Sequence, residues 1–225
     1  MKGSVWYLFP GANEAAARAC AARWNERGYR VACAVDVGAG WTCGDVTIEV
    51  DYRGYYAAVR ELCALLGGAG LVVCGGDDIL PDPVADPAVV AVEFFQRFPD
   101  GFGVMQPVGD LNERTGRPFG GTASAAVSPW IGRGWIERAY GGRGPHWCGY
   151  HHLHGDEELQ QVATAAGVFW QRADLCQRHE HWTRPGCGDN LAPARRAEIV
   201  RRWDDDRALF LERMAAGWPG FSGGK

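Results

Sequence analysis

The chain has 225 residues, 23 of them basic and 27 acidic, for a formal charge of −4; 47% are hydrophobic and ten are tryptophan. That length and apolar share support one domain with a sizeable core, or one with a small appendage. The acidic balance excludes a chain that coats nucleic acid through bulk charge, though not a local basic face.

Strands and helices alternate through the first half. Residues 5–9 read as a short buried strand ended by Pro10-Gly11. Asn13 is placed to cap a helix carrying Ala16, Ala17, Cys20 and Trp24 at helical spacing, stopped by Gly28. Strands are predicted at 30–35, ending at Asp36, and at 46–50; Gly54 opens a helix through Leu66. The fourth strand, 71–74, runs directly into Gly75-Gly76-Asp77-Asp78. Beyond Pro81 the pattern predicts a helix over 88–98 and a strand over 102–105. Residues 111–155 are Gly-rich and loop-like, with a short helix near 134–140. A helix over 156–166, a strand over 168–170 and a terminal helix over 194–216 follow, the last with Ile199, Trp203, Phe210 and Met214 on one side. This is an α/β pattern with a mostly parallel sheet, divided as a domain over 1–182 and a C-terminal helical extension over 183–225. Ligands of such sheets sit outside the carboxyl ends of the strands, where Asn13, Asp36 and Asp77 fall.

The first 16 residues carry one Lys and a short apolar run broken by Pro10, Gly11 and Asn13, unlike the longer apolar region of a signal peptide. No apolar run approaches the ~20 residues of a membrane helix. The eight cysteines form no C-x-x-C, and Cys33 and Cys74 read as small core hydrophobes. Reduced thiols in a cytoplasm, with no membrane partner, are expected.

Two carboxylates sit on the turn after the fourth strand. Adjacent carboxylates repel and are held together most readily by a cation, such as magnesium or manganese bound with substrate phosphates. Local chemistry leaves an ordinary Asp turn into Pro81 equally open.

The motifs in order resemble the GT-A fold of nucleotide-sugar glycosyltransferases, especially their large inverting family, over about residues 4–182. Phe9-Pro10-Gly11-Ala12-Asn13-Glu14 is similar to the first-strand loop that lies against the nucleotide base, and Asp36 stands where that family has an acid that reads uracil. Tyr52-Arg53-Gly54-Tyr55 resembles the segment that closes over the nucleotide, and Gly76 and Asp77 match its D-x-D region. The resemblance therefore implies a UDP-sugar donor held by Pro10, Asn13, Asp36, Gly54, Gly76 and Asp77, and Mn2+ or Mg2+ on Asp77 and Asp78, completed by His179 or His181. Imidazole suits manganese better than magnesium. His154-Gly155-Asp156-Glu157-Glu158-Leu159 resembles the helix start that bears the family's catalytic base, here Asp156. The plain alternative is that these three acids are ordinary first-turn helix residues. Two positions depart from the family: Gly75 replaces the first Asp of D-x-D, and the late Q-x-x-R-W motif is absent.

Residues 111–155 hold five arginines against two glutamates, a local +3, with five Trp and Tyr residues and four of the six histidines. Arginine for phosphate and aromatics for base faces suit a nucleic-acid acceptor. The stretch from Ser128-Pro-Trp-Ile-Gly-Arg133 to Gly144-Pro145 is similar to phage-encoded glycosyltransferases that decorate hydroxymethylated cytosine in DNA. That resemblance implies 5-hydroxymethylcytosine in DNA as acceptor, touched by Trp130, Arg133, Trp135 and Arg143, and a host cytoplasm as the location. Saccharide or lipid-linked acceptors are alternatives, as is a non-catalytic sugar-nucleotide binder. His146, Cys148, His151, His152 and His154 invite a zinc hydrolase, though their spacing matches no usual closed site. Asp204-Asp205-Asp206 reads as a solvated helix face between arginines.

Overall fold

Strand β1 (Val5–Pro10) is buried along nearly its whole length because both faces of its sheet are covered, which is why its apolar run is continuous rather than alternating. The structure is a computed structural model in which residues 4–107, 125–180, 187 and 193–221 are described. After β1 come α1 (Glu14–Glu26), β2 (Arg30–Asp36), β3 (Val46–Val50), α2 (Tyr55–Leu65) and β4 (Leu71–Cys74). They are followed by β5 (Ile79–Leu80), α3 (Pro87–Arg97), β6 (Val104–Pro107) and β7 (Trp130–Gly132). Helix α4 (Arg133–Arg138), a 3-10 turn at Ala139–Gly141, α5 (Gly155–Ala165), β8 (Phe169–Arg172), β9 (Arg178–His179) and α6 (Pro193–Ala215) complete the order.

Seven strands form the main sheet in the order β3-β2-β1-β4-β7-β6-β8, and all pairings are parallel except those of β7 with β4 and β6. The α/β class with a mostly parallel sheet and a long C-terminal helix is therefore as the sequence predicts. Odd-numbered residues of β1 and β2 (Tyr7, Phe9, Val31, Cys33) face α1 and α3; even-numbered ones (Trp6, Leu8, Ala32, Ala34) face α2, α4 and α5. Each fully buried large side chain of this kind contributes about 1.5–3 kcal/mol. The N-terminus of α1 is capped by Asn13, whose side chain accepts from the Ala16 N–H at 3.1 Å, and that of α3 by Asp86. A separate two-stranded ladder pairs β5 with β9, Ile79 opposite His179.

Strand order reverses at β1. The chain builds outward to β2 and β3, then returns to lay β4 on the other side of β1. In open α/β sheets the crevice at such a reversal, beyond the strands' carboxyl ends, is where ligands bind.

Strand β7 differs from the expected acceptor loop. Residues 130–132 run antiparallel between β4 and β6 in the middle of the sheet. The run is too short, and too interrupted by glycine, to show a period in sequence.

Helix α6 also turns a different face inward. Asp206, Phe210 and Arg213 are its buried residues, while Trp203 and Met214 are exposed. The Asp204 and Asp205 carboxylates face solvent as expected, but Asp206 accepts the backbone N–H groups of His151, His152 and Leu153 at 2.7–2.9 Å. Arg213 reaches Glu158 of α5 through two hydrogen bonds, 2.6 and 2.8 Å, and lies 3.9 Å over the Trp147 ring. Among the described residues no helix is long and apolar enough to cross a membrane.

Candidate active site

The acidic turn after β4 is held from behind by aromatic packing. Tyr7 of β1 stacks on Trp24 of α1, with centroids 3.7 Å apart, and its hydroxyl donates to the Gly76 carbonyl at 2.5 Å. The Trp24 indole N–H donates to the Ile79 carbonyl at 2.8 Å. A β-carbon on Gly75 would collide with the Tyr7 hydroxyl. Packing at the β1–β4 seam therefore leaves no room for a side chain at position 75 while Tyr7 stands.

Asp77 and Asp78 leave this turn half-buried. Burial first, and then the neighbouring Asp78 charge, push the Asp77 carboxyl up to about 7. On the far side, Asp82 accepts the Cys176 N–H at 2.7 Å and the Asp78 carbonyl accepts the Glu180 N–H at 2.7 Å, so β9 is pinned against β5. This register brings His179 Nε2 to 3.0 Å from Asp78 Oδ2. His181, the other candidate from the sequence, lies outside the described residues.

Two carboxylates and an imidazole offer oxygen and nitrogen donors of the kind manganese accepts. Among the described residues no group of three or more His, Cys, Asp or Glu side chains is placed to hold a metal ion by itself. Asp77, Asp78 and His179 therefore do not form a metal site by themselves.

Asp36 ends β2 at the same edge of the sheet, where Arg195 of α6 pairs with it at 2.8 Å. The Arg195 guanidinium lies 3.3 Å over the ring of Tyr52, whose hydroxyl burial pushes up to about 12. Pro10 closes β1 opposite Ala34. The Asn13 carbonyl oxygen is engaged as the α1 cap, so what it offers a ligand is its amide N–H2. Gly54 precedes α2 with φ +124, and a β-carbon there would strike the His151 backbone; the Tyr55 N–H donates to the His151 carbonyl at 2.7 Å. This junction joins the start of α2 to the loop before α5.

Asp156 sits in the first turn of α5. Burial, and secondarily the Glu157 charge, raise its carboxyl above the ordinary range. The helix N-terminus pulls the other way, and burial prevails. The Tyr56 hydroxyl accepts the Gly155 and Asp156 N–H groups. Tyr55, partly buried, feels the charges of both Asp156 and Asp78, so both acidic groups act on it. His152 feels Asp78, Asp206 and Arg195, and burial lowers it to about 4, leaving a neutral imidazole on the same side.

The expected acceptor residues are largely structural. Trp130 lies in the centre of the sheet, edge-on to Tyr29 and donating to Gln177; Trp135 is buried against Phe102 and donates to the Pro145 carbonyl at 2.9 Å. Arg133 donates to the Ala69, Cys63 and Leu66 carbonyls and so caps the C-terminal end of α2. Of the four, Arg143 alone is exposed. The histidine cluster also disperses. His146 packs on Tyr56, His151 meets Glu198 at 3.2 Å, and His154 pairs with Glu157 at 2.9 Å while stacking on Phe210.

Sequence reasoning missed Arg195, Tyr56 and Asp206. The only signal was an arginine-rich terminal helix and a Tyr-Tyr pair after Gly54, neither of which names a partner.

No protein-family model matches the chain, and no curated protein matches it. A crystal structure described as a putative glucose-1-phosphate thymidylyltransferase from Bacillus anthracis in complex with a sucrose superposes with a TM-score of 0.45 at 10% identity, covering 77% of this chain and 88% of that one. A197 from STIV superposes with a TM-score of 0.45 at 12% identity, covering 85% of this chain and 91% of that one. At these scores the likenesses assign no activity.

Proposed function

We propose that this chain is a metal-dependent inverting glycosyltransferase that moves a sugar from a UDP-sugar to a hydroxyl acceptor. The observation that carries the reading is that two acidic groups act on one side chain, Tyr55: Asp78, which His179 meets at 3.0 Å, and Asp156, whose carboxyl burial raises. An inverting transfer needs a base distinct from the cation's carboxylates, because a carboxylate bound to a cation is a poor proton acceptor.

In this reading Asp156 takes the proton of the acceptor hydroxyl as its oxygen attacks the anomeric carbon. The bond from that carbon to the diphosphate oxygen breaks on the opposite face, and the diphosphate departs with the electron pair. When bound, the divalent cation supplies positive charge to the departing diphosphate. Asp77 and Asp78, with His179 beside them, would hold it. The raised carboxyl of Asp156 makes it a stronger base than a surface aspartate once it is ionised.

The acceptor class follows from resemblance rather than from side chains now in view. Three of the four residues expected to touch DNA are in the core or capping a helix, and Arg143 with residues 108–124 (outside the described residues) is what remains. Within this reading 5-hydroxymethylcytosine in DNA is the acceptor to test first, and saccharides second.

The test is a screen of several UDP-sugars with manganese against hydroxymethylated DNA, plain DNA and simple saccharides, read by mass spectrometry. Transfer that survives in Asp156→Asn removes Asp156 as the base. Nucleotide binding with no transfer to any acceptor leaves a sugar-nucleotide binder in place of an enzyme.

A further inference from the structure

The eight cysteines are free thiols, yet Cys33 of β2 and Cys43 of the β2–β3 connection lie in hydrogen-bond contact. The backbone builds this contact. In the β2–β3 ladder Cys33 stands opposite Thr47, whose hydroxyl accepts the Cys43 N–H at 2.9 Å and donates to the Cys43 carbonyl at 2.7 Å. Cys43 is thereby folded back beside Cys33. Two residues on, the Asp45 N–H donates to the Val31 carbonyl at 2.9 Å and its carboxylate accepts the Val31 N–H at 2.7 Å. These bonds lock the end of the connection to β2. Near its start, Gly38 and Gly40 take positive φ with open space around them, which leaves slack for a small adjustment.

The two thiols are unequal. The hydrogen bond to Cys43, and then burial, hold the Cys33 thiol above the usual range, so it keeps its proton. The same hydrogen bond, helped by the Arg18 guanidinium and opposed by burial, holds Cys43 below that range. Cys43 is also the outer of the two, 6% exposed against 0% for Cys33. Cys20, the next thiol on this face, is turned to the Gly76 and Ile79 carbonyls at 3.8 and 3.9 Å. A favoured thiolate with a second thiol in contact is the arrangement in which one sulfur attacks and the other resolves.

We propose that Cys33 and Cys43 form an oxidant-reactive dithiol whose substrate is a hydroperoxide, with Cys43 as the attacking sulfur and Cys33 as the resolving one. The Cys43 thiolate attacks a peroxide oxygen and the O–O bond breaks. With hydrogen peroxide, hydroxide leaves with the electron pair and takes up the proton that Cys43 has given to solvent. Cys43 becomes a sulfenic acid. The Cys33 sulfur then attacks the Cys43 sulfur as the S–O bond breaks, and the Cys33 proton leaves with that hydroxide as water. The sulfurs close to about 2.05 Å. Two thiols have lost two electrons, and one peroxide has been reduced to two waters. This chemistry is independent of sugar transfer.

The test treats the native full chain with a few equivalents of hydrogen peroxide at neutral pH, blocks remaining thiols with N-ethylmaleimide, and maps the unreduced digest by mass spectrometry. A linked Cys33–Cys43 peptide, lighter by two hydrogen atoms and separated by dithiothreitol, is expected at least about tenfold faster than oxidation of any other cysteine. Cys33→Ala removes the resolving sulfur and should leave a Cys43 sulfenic acid that dimedone traps; Cys43→Ala should leave Cys33 unoxidised. Thermal melting checks that both variants stay folded, and the native chain's linked peptide is read without them. Absence of that peptide, its formation only in denaturant, or unchanged oxidation of Cys33 in Cys43→Ala overturns the proposal.

Discussion

The Tyr56 hydroxyl accepts the backbone N–H of Asp156 at 3.3 Å and that of Gly155 at 3.0 Å, while lying 3.5 Å from the Asp156 carboxylate. A tyrosine from α2 thus does for α5 what a serine or aspartate cap normally does, because His154, in the cap position, has φ 66 and makes no side-chain cap bond. The same hydroxyl donates at the limit of hydrogen-bond range to Asp156 Oδ1, which also accepts the Glu157 N–H at 3.0 Å.

Tyr56→Phe keeps the ring and removes that oxygen. If Asp156 is the base, kcat should fall about tenfold to a hundredfold with the donor KM unchanged, since position is lost and donor contact is not. Losing the donor raises the Asp156 carboxyl further, so the acid limb of the kcat–pH profile should move to higher pH. A KM change with an unmoved limb would leave Tyr56 with a cap role only.

Asp77 gives a second pH effect. Its carboxyl, at about 7, is protonated below that pH and must ionise to meet a cation. Manganese affinity in the presence of UDP should therefore fall by up to about tenfold per pH unit below pH 7 and level off above it. Calorimetry at pH 6 in two buffers of different ionisation enthalpy should report about one proton released per cation bound. Asp77→Asn should abolish both the binding and the proton release; binding that is independent of pH and of Asp77 would place the cation elsewhere.

His146 should govern part of the acid stability. It is buried against Tyr56 and Tyr55, and burial lowers it to about 3 from 6.5. Between those values the unfolded chain takes up a proton that the folded chain refuses. The His146 contribution is complete above pH 6.5 and is lost as pH falls toward 3, at up to about 1.4 kcal/mol per unit. Asp77, raised on folding, acts with the opposite sign between about 3.8 and 7, so the comparison must be between the native chain and His146→Phe. Denaturant midpoints at pH 7 and pH 5 should differ less in the variant, where His152, lowered to about 4, still acts with the same sign. An equal drop in both chains would mean that His146 protonates in place.

The Glu158–Arg213 pair should be the strongest single tie between α5 and α6. Both side chains are at most 5% exposed, and Tyr150 adds a 2.7 Å hydrogen bond to the same carboxylate. Arg213→Ala strands a buried anion and should cost about 3–5 kcal/mol in equilibrium unfolding. Replacing both partners by apolar residues, as in Glu158→Leu with Arg213→Met, should recover much of that loss. A mild effect of the single variant would show that water reaches Glu158.

The sequence displayed those parts of the fold whose signal is local. Continuous apolar runs marked β1, β2 and β4, Asn13 marked the start of α1, and the glycine pair marked the acidic turn. Strand β7 stayed hidden because three residues have no period, and so its Trp130 looked like a surface aromatic awaiting a base. Composition cannot distinguish a tryptophan that stacks on a ligand from one that fills a sheet. The inner face of α6 was misjudged for a related reason: Asp206 and Arg213 are buried charges, admitted only because backbone N–H groups and Glu158 meet them. Such pairings are made across more than fifty residues and leave no spacing to read.

The collision between Tyr7 and any side chain at position 75 has a consequence for the history of the chain. A descendant acquiring aspartate at 75 while it retained Tyr7 would damage the seam between β1 and β4 at that step. One losing Tyr7 first would forfeit the stack on Trp24 and the anchor on Gly76. Aspartate at 75 therefore requires a smaller residue at 7 beforehand, and a chain with tyrosine at 7 and aspartate at 75 should be missing among relatives.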